Sequence, residues 1–70
     1  MTLRATSFVR AQYLLETPWE IVVMDASQRH LRRKLIKLQH GDEVLVDLEK
    51  TTKFEDRDCL ILEDGRLVQI

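Results

Sequence analysis

Residues 54–70 read FEDRDCLILEDGRLVQI, in which two short apolar runs, Leu60-Ile61-Leu62 and Leu67-Val68-Gln69-Ile70, flank Asp64-Gly65. An Asp-Gly pair readily takes the positive φ angles of a type I′ turn, whose twist suits the strands of a hairpin, so the stretch predicts a C-terminal β-hairpin. Similar punctuation continues upstream. Residues 3–9 are rich in β-compatible types, and residues 15–18 end on Pro18, which predicts a loop before Trp19. Ile21-Val22-Val23-Met24 is a β-branched run closed by Asp25 and predicts a strand with both faces partly covered. His40-Gly41-Asp42 is a turn signal before Val44-Leu45-Val46, where Val44, Val46 and Leu48 share one face and Asp47 takes the other. Five strands stand out in this way. Residues 50–58 read as a loop with Phe54 packed beneath it.

At 70 residues the chain makes one domain, 1–70, which buries roughly 60% of the surface its unfolded form exposes. An enzyme cleft with convergent polar groups takes about 300 Å³ or more, and so small a core rarely encloses one, which argues against catalysis. The apolar content is ordinary for a globular chain and the charges are balanced in sign, so a folded domain is expected. No run of about 18 apolar residues is long enough to span a bilayer, and Arg4 and Arg10 bracket a mixed segment instead of a signal peptide's apolar stretch. A cytoplasmic location is expected, and the single cysteine, Cys59, fits a reducing compartment.

Charge is distributed unevenly. Arg29, Arg32, Arg33, Lys34 and Lys37 cluster with His30 and no acid, whereas residues 41–65 carry nine acids against Lys50, Lys53 and Arg57. The bland reading is mutual neutralisation across neighbouring strands, at a few tenths of a kcal/mol per pair; the sharper one is a docking surface for an anionic partner, protein or nucleic acid. Local rules conflict over residues 27–38. Ser27 can cap a helix, with Leu31, Leu35 and Leu38 on one face and basic residues elsewhere. The same stretch equally suits a long charged edge strand, since Arg and Lys on an edge block unwanted pairing.

Few residues carry chemistry. His30, His40 and Cys59 are metal-capable, yet no two stand at the close spacing of zinc sites, so neither a metal nor a catalytic site is assigned. Cys59 lies in an apolar run and reads as a small buried hydrophobe; His30 sits among cations that repel a metal ion and reads as a surface residue; His40 reads as a turn residue. Asp56 and Asp58 are best explained by a solvated loop. Gly41 and Gly65 are isolated turn glycines, and Trp19 is expected in the core.

Several of these segments together resemble one family. Thr6-Ser7-Phe8-Val9-Arg10-Ala11, Arg29-His30 with Arg32-Arg33, Leu45-Val46-Asp47-Leu48, and Asp56-Arg57-Asp58-Cys59-Leu60 running into Leu62-Glu63-Asp64-Gly65-Arg66-Leu67-Val68 look like the N-terminal domain of the urease accessory nickel metallochaperones, the protein E family of that operon. The resemblance covers nearly the whole chain and rests on the order and spacing of short motifs. It implies an all-β fold, a small two-sheet sandwich of about six short strands, similar to an Hsp40-type peptide-binding domain. It makes residues 27–38 a strand, and it implies a cytoplasmic accessory protein that helps assemble the urease dinickel centre.

Residue by residue, the family's metal-binding histidines belong to a C-terminal domain and tail with no counterpart in residues 1–70. No cofactor is therefore expected on this chain, nickel being implied only through that absent domain. The chain is expected to be the portion that contacts proteins: urease apoprotein and the urease accessory GTPase complex. The family's homodimer is built through the missing domain, so this chain is expected to be monomeric. Arg29, Arg32, Arg33 and Lys37 are the candidate partner-binding residues. The alternative is a nucleic-acid-binding β domain using residues 29–37; a structural or regulatory module with another partner is a third reading. Two departures stand out: Arg57 replaces the middle glycine of the family's common Asp-Gly-Asp, where positive φ is costly for a side chain, and Glu49 stands where a proline often follows Asp-Leu.

Overall fold

Apolar residues alternating with period two build six strands: β1 (Thr2–Val9), β2 (Glu20–Ile21), β3 (His30–Lys37), β4 (Glu43–Lys53), β5 (Cys59–Leu62) and β6 (Leu67–Gln69). The computed structural model describes residues 2–38 and 41–70; the turn role expected of His40 lies outside the described residues. The class is all-β, as expected. In place of two separate sheets there is one hydrogen-bonded sheet of order β2-β6-β5-β1-β4-β3. β1–β4 and β2–β6 pair in parallel, and the other neighbours are antiparallel. The sheet curls until residues 22–24, just past one edge strand, share a groove with residues 34–37 of the other.

The concave face holds the core. Leu3, Ala5, Val44, Val46, Leu48, Leu31, Ile36, Leu60, Leu62 and Val68 pack together, and Met24, Leu38, Phe54 and Ile70 close the ends. Two register shifts decide which side chains enter it. Ala5 pairs with Leu62 but Ser7 with Ile61, so Thr6 is an extra residue on β1. The insertion moves the inward phase from Leu3 and Ala5 to Phe8, which packs edge-on against Phe54 with ring centroids 5.2 Å apart. On β4, residues 48–51 oppose the single residue Arg32 of β3.

The hairpin forms, with Leu60 opposite Val68 and Ile61 opposite Leu67. Its turn is not type I′, because Gly65 (φ +93°) alone has positive φ there. Leu62 N–H donates to Arg66 O (2.8 Å) and Gly65 N–H to Leu62 O (2.9 Å), making a three-residue loop over 63–65. The Asp64 carboxylate accepts from Arg66 N–H (3.0 Å) and Arg66 Nε–H (2.7 Å), a local bond that holds Asp64 at ordinary φ.

Three other expectations change. The run 21–24 gives strand only at Ile21, leaving Ile21 52% and Val23 85% exposed. Its partner β6 offers three residues, and the next one, Ile70, bonds through its own backbone to Asp58 and Arg57 instead. Residues 50–53 extend β4 and are not loop, although Phe54 is buried beneath the following turn as predicted. Residues 30–37 are a strand, because β4 offers Leu31 and Ile36 buried positions opposite Thr52 and Val44. The helical grouping fails at Leu35, which is 52% exposed. The cap belongs to Asp25, whose carboxylate accepts from Gln28 N–H (3.2 Å) and Ser27 Oγ–H (2.7 Å) over one 3₁₀ turn, Ala26–Gln28.

Candidate functional site

β3 is an edge strand, as the charged-edge reading required, and it concentrates the basic residues on one border of the sheet. Cross-strand register puts Arg33 opposite Asp47 and Lys37 opposite Glu43. Neither becomes an ion pair. Asp47 Oδ2 accepts from Arg4 Nη2 on the neighbouring β1 at 2.8 Å, and among the described residues Arg32, Arg33, Lys34 and Lys37 have no acid within 4.0 Å. The expected neutralisation between basic and acidic segments therefore reaches only part of the cluster.

Arg29 stands apart from the other candidates. It follows the 3₁₀ turn, its carbonyl accepts from Phe54 N–H (2.8 Å), and its guanidinium lies 3.6 Å from Asp56 with a side chain only 24% exposed. Arg32 faces the irregular part of β4, while Arg33 and Lys37 share the outward face. Lys34, which the motifs did not single out, pairs in register with buried Val46 and lines a groove with Val22, Met24, Ile36 and Lys37. The helical period hid that position. Only the strand period, phased by the irregularity at Arg32, reveals it.

Asp58 behaves oppositely and corrects the solvated-loop reading: it is 2% exposed, whereas Asp56 stays in solvent. Its Oδ2 accepts from Arg10 Nη1 (2.7 Å) and Glu55 N–H (2.9 Å), and its Oδ1 from Ala11 N–H (2.9 Å). Arg10 Nη1 also donates to Lys53 O (2.9 Å), and the guanidinium lies 4.8 Å from the Phe8 ring centroid. Burial alone raises the Asp58 pKa, but the two backbone N–H groups and Arg10 outweigh it and hold the carboxyl below its ordinary value. This is a structural corner, its buried carboxylate engaged by three donors of its own chain.

The remaining chemistry-bearing residues do not converge. Cys59 is buried as expected, and burial, aided by the Asp58 charge, pushes its thiol pKa up and away from reactivity. His30 is exposed opposite Lys53. No three His, Cys, Asp or Glu residues gather into a metal-sized cluster among the described residues. Trp19 is 36% exposed and not core; Arg66, held by Asp64 at 2.6 Å, stacks 3.9 Å above its ring. Arg57 takes φ +71°, so positive φ is kept there at the cost a side chain carries in that region. A groove of about 420 Å³ opens where β1 and β4 diverge and shows Thr6, Ser7 and Thr52 beside Phe8 and Leu48. No helix among the described residues is long and apolar enough to cross a membrane.

Comparisons with known proteins agree with one another. The family model described as UreE urease accessory protein, N-terminal domain, matches residues 6–70. The urease accessory protein UreE of Brucella anthropi is 41% identical over 68 residues, which are 96% of this chain and 40% of the relative. That of Rhizobium rhizogenes is 39% identical over 67 residues, with 96% and 40% covered, and UreE 1 of Brucella suis biovar 1 is 37% identical over 68 residues, with 96% and 42% covered. The chain thus spans about two fifths of the length of these relatives. No solved structure matches it, so likeness to an Hsp40-type domain stays an implication of the sequence resemblance.

Proposed function

The chain belongs to the UreE urease accessory protein family, as its N-terminal domain, and from that premise we propose that it is the protein-recognition part of a nickel metallochaperone. It acts in the cytoplasm, without catalysis of its own, by contacting urease apoprotein and the urease accessory GTPase complex during assembly of the metal centre. Nickel is cargo here. Its ligands belong to the metal-binding C-terminal domain, and the exposed His30 and buried Cys59 offer no converging donor set. The domain itself works as a monomer. Arg32, Arg33 and Lys37 form the contact rim, and Arg29 supports it from beneath through its bonds to the Phe54 and Asp56 segment.

One observation carries this reading: a row of cations on an edge strand, with no acid within 4.0 Å of Arg32, Arg33, Lys34 or Lys37 among the described residues. Such a row contributes little to folding and much to encounter with an acidic partner. The test is retention of urease apoprotein and its accessory GTPase on the immobilised domain, before and after Arg32→Glu with Arg33→Glu. Retention that charge reversal abolishes supports the proposal, and failure of the unaltered domain to retain either protein overturns it. Labelled RNA titrated at two salt concentrations checks the nucleic-acid reading, whose affinity would fall steeply with salt.

A further inference from the structure

Building on that reading of β3, we infer that the domain takes an extended acidic peptide segment of its partner as a seventh strand. The segment lies along the open edge of β3, in the seam facing residues 22–24. β3 is hydrogen-bonded to β4 on one side only. Its other side meets residues 22–24 across a groove of about 200 Å³, which Val22, Met24, Lys34, Ile36 and Lys37 help to line. No main-chain hydrogen bond crosses that groove among the described residues; Val22 N–H donates to Gln69 O (2.8 Å) instead. The curled sheet thus leaves the β3 edge open toward residues 22–24, and an unpaired strand edge is a template for another strand. The groove is smaller than the roughly 300 Å³ of small-molecule pockets, which favours a backbone that pairs along it over a compact ligand.

Charge identifies the chemistry of the strand. The β3 bank of the groove carries Lys34 and Lys37, with Arg32 and Arg33 next to them on the strand and no acid within 4.0 Å of any of the four among the described residues, while the other bank, residues 22–24, is Val-Val-Met. A complementary segment therefore carries carboxylates toward β3 and alternates them with apolar side chains that cover Val22 and Met24. A nucleic-acid strand fits less well. Bases bind such grooves by stacking on aromatic rings, and no aromatic residue lines this one; Trp19 lies beneath Arg66.

The experiment uses the 70-residue chain and a fluorescein-labelled peptide that alternates valine and glutamate. Three competitors accompany it: the valine–lysine counterpart, the valine–glutamate peptide N-methylated at alternate residues, and an oligouridylate. We expect the valine–glutamate peptide to bind and to protect amides of residues 31–37 from hydrogen exchange. Binding falls at least about tenfold, or roughly 1.4 kcal/mol, on N-methylation, on exchange of glutamate for lysine, and in Lys34→Glu. Lys34→Gln, which changes an exposed side chain without reversing its charge, loses less. Equal binding of the N-methylated peptide, equal binding of the lysine peptide, or capture of oligouridylate in place of peptide each overturns the inference. Urease apoprotein retained by a domain that ignores the peptide removes strand insertion alone; a peptide bound normally by a domain that retains no urease component removes the urease reading alone.

Discussion

Two regions of the molecule use the same residue types to opposite ends. At the Asp58 corner, Arg10 is engaged by a carboxylate, a main-chain carbonyl and an aromatic face, all within one partly buried site. Along β3, four cations stand in solvent and the acid that register offers to Arg33 is taken by Arg4. An ionic group with every partner inside its own chain holds the fold together. One whose partners are missing from its own chain is available to another molecule.

The sharpest way to break this comparison is to remove the acid of the first region. Asp58→Ala leaves the N–H groups of Ala11 and Glu55 and the Arg10 guanidinium without their acceptor, and should cost on the order of 3 kcal/mol. Most of that comes from the two backbone donors, since the Arg10 side chain is 38% exposed and screened by water. Against a total stability of roughly 4–10 kcal/mol for a domain of this size, urea denaturation should show a large drop in midpoint. A change below about 0.5 kcal/mol would place the corner among ordinary surface pairs.

Acid probes the same corner without mutation. Because the folded pKa of Asp58 is depressed, its contribution is fully present above the unfolded value of about 3.9 and is lost as pH falls through the lower folded value. Denaturation midpoints should therefore fall, as pH drops below about 4, more steeply than in Asp58→Asn. Parallel curves for the two proteins would assign acid sensitivity elsewhere.

Smaller effects belong to the backbone. Gly65→Ala should cost about 1 kcal/mol by conformation alone, because φ is +93° and an added Cβ would meet nothing within 4 Å. Arg57→Gly should gain about 0.5–1 kcal/mol by relieving φ +71°. Thermal denaturation reads both signs. Smallest of all for stability is the β3 rim, where Arg32→Glu with Arg33→Glu should move it by less than about 0.5 kcal/mol while abolishing partner retention. A large loss of stability there would erase the distinction between the two regions.

Much of the fold was legible because its signals are local. The alternation Val44, Val46, Leu48, the Asp64-Gly65 turn and the proline before Trp19 each act within a few residues, and each marked its element. What stayed hidden depends on partners far along the chain. Arg10 and Asp58 are 48 residues apart, and nothing local distinguishes Asp58 from its solvated neighbour Asp56. The inserted Thr6 and the wide bulge over 48–51 reset strand phase, so Lys34 could not be placed without the register. Over residues 30–37, helical spacing of leucines competed with strand pairing, and tertiary contact with β4 decided the outcome.

The proposed recognition of partners runs along the basic edge. Amide spectra of the isotopically labelled domain, recorded with and without urease apoprotein, test it residue by residue. Recognition along the edge gives shifts and line broadening confined to residues 22–24 and 29–37; changes confined to the Tyr13 and Trp19 surface, with β3 untouched, would rule it out.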